Sequence, residues 1–282
     1  MIPKGHWKEE AIRHNISHLG ERIYNWAQRH SVASLEDCFG ITARDKASIV
    51  KELRGYTSQE SWERLVVPKL LVQALLAKRI FETLFANPFF AFRNVDGNGS
   101  LQEQDDLMKI YRSMLQINES QGHIWRSQTL LELWRMTFKS HPNSLQGRFD
   151  KMSQEFAANF VSSPVGGLLC RRKKASVIAS RTMELQFLYM MAAYLALGLW
   201  TLRSHIVCQS QGDAPDARVF DVGDPVMRAH QLHRLDEGDH KLDGKQIVLF
   251  VQPAVLAYGS NDAEHYDQYR VWAPAIVFVE GR

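Results

Sequence analysis

From Leu185 to Leu202 the chain runs eighteen residues without a charged side chain, and this stretch restricts the fold more than any other. Such a segment must be kept from water, either by lipid or by protein. A span needs about 20 predominantly apolar residues, and the basic run Arg171, Arg172, Lys173, Lys174 stands upstream as a positive-inside flank would. The stretch is short for that task, and Gln186, Tyr189, Tyr194 and Thr201 are spread through it. Its apolar positions Leu185, Leu188, Ala192, Leu195, Leu199 and Leu202 alternate by three and four, the spacing of a helix packed on other helices. The sequence therefore predicts a central core helix and no membrane.

A core helix demands partners, and three earlier segments repeat the period: Ile12, Ile16, Leu19, Ile23, Trp26; Leu107, Ile110, Met114, Ile117; and Leu145, Phe149, Met152, Phe156, Phe160. Thr57 with Glu60, and Ser100 with Glu103, have the spacing of a reciprocal cap at a helix start. Pro68 is expected to kink the helix that follows Thr57. Breaks fall at Asn87-Pro88, at His141-Pro142-Asn143 and across Ser162 to Gly167, giving six to nine helices.

The texture changes after Cys208. A polar connector, Gln209 to Asp216, leads into a region where helical periodicity does not return. Ile247 to Val251 and Ala275 to Val279 are short β-branched and aromatic runs, typical of buried strands, and Asp243-Gly244 marks a tight turn before the first. Val251-Gln252-Pro253-Ala254-Val255 echoes Trp272-Ala273-Pro274-Ala275-Ile276. Proline cannot donate to a strand ladder, so both prolines belong at edges or bulges of a small, irregular antiparallel sheet. The fold class is α+β: a predominantly helical body over residues 1–208, then a small antiparallel β subdomain over 209–282 packed on that body.

Charge divides at the same place. Residues 1–208 carry 27 Lys and Arg against 19 Asp and Glu, and residues 209–282 carry 7 against 12. Surface charges contribute little pair by pair, so different solvated faces are expected rather than an electrostatic clasp. Cys38, Cys170 and Cys208 lie far apart with no metal-ligand or redox spacing. The first residues, Met1 to Lys8, lack an apolar leader, which points to the cytosol or the nucleus.

The segments His123 to Leu130, Leu197 to Arg203 and Tyr269 to Ala275 resemble stretches of uncharacterised proteins of filamentous fungi, a likeness that extends over most of the chain. The resemblance implies an origin and carries no activity, cofactor or partner.

Four patterns bear on chemistry. Asn94, Asp96, Asn98, Gly99 and Asp105 resemble an EF-hand calcium loop, with neutral Asn94 in the first place and the short Asp105 in the twelfth. Helix entry through Ser100 and Glu103 explains the same residues. His230, His233, His240 and His265, near Asp239, Asp262, Glu264 and Asp267, supply imidazoles and carboxylates for proton transfer or metal binding. Asp262 to Asp267 reads equally as a solvated loop between strands. Arg171, Arg172, Lys173 and Lys174 offer contacts for phosphates or an acidic partner, and four clustered charges also suit an ordinary helix start. Finally, no serine elbow, phosphate-binding glycine loop or dinucleotide fingerprint occurs. The favoured function is an intracellular protein-binding or regulatory protein. The alternative is an enzyme with His230, His233 and His265 acting where the helical body meets the β part.

Overall fold

The computed structural model describes residues 7–38, 40–57, 67–93, 102–136, 145–171, 174–210, 219–236 and 238–280. Among these, seven α-helices precede all but a small part of the β structure: α1 (Glu9–His30), α2 (Ala43–Glu52), α3 (Pro68–Ile80), α4 (Gln102–Ile117), α5 (Glu119–Met136), α6 (Leu145–Ser162) and α7 (Ala175–Trp200). Six strands follow: β1 (His205–Gln209), β2 (Met227–Ala229), β3 (Ile247–Gln252), β4 (Ala254–Tyr258), β5 (Tyr269–Ala273) and β6 (Ala275–Val279). The chain is α+β.

The six apolar positions of the uncharged stretch are all buried. α7 packs against α1, α5 and α6, so protein covers the part of the helix that carries them. By length and composition Ala175–Trp200 is apolar enough to cross a membrane, yet 56% of its most apolar window lies inside the protein. The stripes of α1 and α6 are buried as their spacing requires, apart from the half-buried Phe156. That of α4 is not: Ile110 and Ile117 are 49% and 87% exposed. The helix is turned to bury Tyr111, whose ring packs on Phe89 and whose hydroxyl meets His123 at 2.7 Å. One aromatic ring with a hydrogen-bonded tip outweighs two aliphatic side chains here. Pro68 opens α3 at its first position instead of kinking a longer helix, because proline's missing N–H has no intrahelical partner to lose there. Glu60 and Ser100 lie outside the described residues.

Two three-stranded sheets form, ordered β1-β4-β5 and β2-β6-β3. The first is antiparallel throughout. The second is mixed, since β2 runs parallel to β6 while β3 runs antiparallel to it. The long path between β2 and β6, through β3, β4 and β5, is what a parallel pairing needs. Pro253 separates β3 from β4, and Pro274 separates β5 from β6, so at each proline the chain leaves one sheet and enters the other. The echo in the sequence is therefore a paired corner: a two-stranded ribbon bends at both prolines, where no ladder bond is lost. Gly244 takes φ 77°, the left-handed conformation of the turn that precedes β3.

The β part is docked on the helices. The Phe250 N–H donates to the Tyr56 carbonyl and the Thr57 hydroxyl to the Val248 carbonyl, both at 2.7 Å. One apolar core runs through both parts. β1 spans Cys208 and pairs with β4, so the strand begins within the last residues of the helical segment. The ion pair between Glu9 and Arg270, at 3.1 Å, joins the parts with signs opposite to their net charges.

Candidate functional site

His230 and His233 lie together beside β6 and are held as structural groups. The Leu232 N–H donates to His230 Nδ1 at 3.2 Å, which leaves Nε2–H to donate to Gln73 Oε1 on α3 at 3.3 Å. Burial, reinforced by the charge of His233, pushes the His230 pKa down to about 4. The Val279 N–H donates to His233 Nε2 at 3.0 Å. Both acceptor lone pairs are thus occupied, and a general base needs one free. No carboxylate bonds to either ring among the described residues; Lys245 and Lys241 are the charges that act on His233.

His265 stands apart in the loop that joins β4 to β5. Its side chain is 65% exposed, with Nε2 3.9 Å from the Glu264 carboxylate. This loop is solvated along Asp262, Glu264 and Asp267, but Ala263 is buried and its carbonyl accepts from Ser120 of α5 at 2.6 Å. Among the described residues no three His, Cys, Asp or Glu side chains are placed to hold a metal ion. Of the calcium-loop pattern, Asn94, Asp96 and Asn98 lie outside the described residues, and Asp105 is exposed in the first turn of α4. Of the basic run, Arg171 and Lys174 are exposed before α7, and Arg172 and Lys173 lie outside the described residues.

A different cluster, missed in the sequence, sits beneath that loop. Arg126 of α5 is fully buried and donates to the Leu202 carbonyl at 2.6 Å and to the Ser204 carbonyl at 3.1 and 3.2 Å. Its guanidinium lies 4.9 Å from the Trp200 ring centre and has no carboxylate partner among the described residues. The carbonyls just past the end of α7 take the place of a counter-ion, and the helix dipole favours a cation there. His123 stacks on Tyr266 at 4.2 Å and lies 5.3 Å from His205. Burial first, then the Arg126 charge, holds His123 down to about 3 and His205 down to about 4. Burial likewise raises Tyr266 to about 12. These groups are therefore neutral near pH 7. Residues 123–130, 197–204 and 269–275 meet here, since Arg270 of β5 also reaches Ser204 Oγ at 3.4 Å. The arrangement ties α5, the end of α7 and the two edge strands of the first sheet together.

An open face occurs elsewhere, between α1 and α7. The groove measures about 380 Å³ and is lined by a stripe of α1 from His18 to Arg29 and by Glu184, Phe187 and Leu188 of α7. Glu184 is engaged within the chain, accepting from Arg29 at 2.9 Å and meeting His30 Nε2 at 3.1 Å. Burial lowers the pKa of His30 against the opposing pull of Glu184. Arg22 lies 5.7 Å from the Phe187 ring centre and spends its Nε–H on His18 at 3.2 Å. Phe187 and Met183, one turn apart, remain 51% and 65% exposed, and Val177 and Ile178 are 38% and 39% exposed in the first turns. Leu195 to Trp200, at the other end of the same helix, are all buried. Met183 and Phe187 fall off the leucine stripe of α7, and their spacing of four was the available signal in the sequence. No protein-family model, curated protein or solved structure matches the chain.

Proposed function

We propose that the protein is an intracellular protein-binding protein that grips its partner along the α1–α7 groove. The observation that carries this reading is the change of environment along one helix. α7 is core at its carboxy-terminal end, while its amino-terminal half offers Val177, Ile178, Met183 and Phe187 to solvent, and Phe187 lines a groove edged with charges of both signs. An apolar patch rimmed by polar groups is the usual form of an interaction surface. Exposed aromatic and methionine side chains are the residue types enriched in such contacts. None of the three cysteines is in a disulfide, in keeping with a reducing compartment.

Replacing both Met183 and Phe187 by serine tests the reading. Both side chains are more than half exposed, so the melting temperature is expected to hold within a degree or two. Tagged protein isolated from its native cells is expected to retain its partner when wild type, and also with Ile117→Ser, a change at a still more exposed apolar side chain on α4. The double variant is expected to lose it. Equal recovery of the partner by all three proteins contradicts the assignment of the groove.

A further inference from the structure

The rim of the groove carries a pattern that specifies its occupant. Glu184 is matched inside the chain by Arg29 and His30. That leaves Glu21 and Arg22, adjacent near the middle of α1 and both facing the groove. Glu21 makes no ion pair among the described residues, and the terminal nitrogens of Arg22 make no hydrogen bond there. A strongly acidic or strongly basic segment would satisfy one of these two charges and oppose the other. A surface with the same two charges related by a two-fold axis satisfies both.

Resting on the reading of the groove as a protein-binding surface, we infer that its occupant is a second copy of this chain, docked through a two-fold contact between α1–α7 faces. In an isologous contact, residue i meets residue j and j meets i. Glu21 of one protomer then pairs with Arg22 of its partner, twice, around the axis. Met183 and Phe187 of each copy cover the apolar edge of the other, and two exposed patches are removed from water together. The patch is small and the charges are at the rim, so the dimer is concentration-dependent and not obligate.

The full chain can be tested by sedimentation velocity across a concentration series, comparing wild type, Glu21→Arg, Arg22→Glu and an equal mixture of the two variants. The wild type is expected to pass from monomer to dimer. Glu21→Arg places two arginines on each face and Arg22→Glu two glutamates, so each variant alone is expected to dimerise at least about tenfold more weakly. In the mixture both contacts are again opposite in sign, and dimerisation is expected to return to within about threefold of wild type. Restoration by mixing cannot come from altered folding of either variant. A wild-type chain that stays monomeric at several hundred micromolar, or single variants that dimerise as well as wild type, overturns the inference. If the chain is monomeric while the Met183 and Phe187 serine variant still loses a cellular partner, the groove binds protein and only the second-copy assignment is wrong.

Discussion

Replacing Arg126 by alanine is expected to lower the stability of the protein by about 3–5 kcal/mol, the range for removing one partner from a buried charged network. The guanidinium is inaccessible to water and spans the Leu202 and Ser204 carbonyls, while the neighbouring Ser127 hydroxyl takes the Thr201 carbonyl at 2.5 Å. Two successive residues of α5 thus close three of the carbonyls at the exit from α7. Alanine orphans two of them in the interior, each costing about 1–3 kcal/mol, and leaves a void beside Trp200. Lysine keeps the charge but not the planar fork that reaches both carbonyls, so Arg126→Lys is expected to recover less than half of the loss. Urea denaturation at pH 7 measures both. A loss below 1 kcal/mol for Arg126→Ala means that the guanidinium does not hold this junction.

Acid is expected to destabilise the fold well before the carboxylates titrate. His123, His205 and His230 have folded-state pKa values pushed down to about 3, 4 and 4 by burial, against 6.5 for a free imidazole. Between those values the native state keeps the rings neutral while the unfolded chain takes up protons. Their contribution is therefore fully present above pH 6.5 and is lost as the pH falls toward 4. Each ring removes about 1.4 kcal/mol per pH unit through that window, so pH 5 costs about 2 kcal/mol per ring and about 4–6 kcal/mol for the three together. Two of the rings lie beside the Arg126 charge, which makes each further proton harder to accept in the folded state. Denaturant titrations at pH 7 and pH 5 check the prediction, and His123→Gln is expected to flatten the difference by roughly a third, one ring's share. Equal stability at the two pH values contradicts the burial of these rings.

The helical body was legible because its signals are local. The stripes of α1, α6 and α7 repeat at the helical period, and each is met by a neighbouring helix. The α4 stripe misled because apolar spacing cannot weigh Ile110 against Tyr111, whose value depends on His123 a helix away. The two prolines in echoing runs announced a pair of breaks, but whether a strand ends at an edge or turns a corner between sheets is decided by pairing partners distant in the chain. Pro68 is read from the sequence as a kink in a longer helix, whereas it opens α3 directly after Val67.

The candidate site was less legible. His230, His233 and His265 drew attention as clustered imidazoles, yet Gln73 and the backbone of Leu232 and Val279 occupy the rings of the first two, from positions no spacing rule connects. His123 and Arg126 of α5, His205 of β1 and Tyr266 of the β4–β5 loop come from three separate elements and give no motif at all. Phe187 sits inside, and Met183 just before, the stretch from Leu185 to Leu202 that is read for its buried face, so the exposed face of the helix's first half goes unread. A helix that is core at one end and surface at the other carries one period for both.

Amide hydrogen exchange along α7 tests the account most directly, because core and binding surface are assigned to the two ends of that helix. Amides from about Leu188 to Trp200 are expected to exchange only through global unfolding, whereas those of the exposed first turns exchange orders of magnitude faster in dilute protein. Uniform protection along the whole helix, or rapid exchange at its carboxy-terminal end, contradicts it.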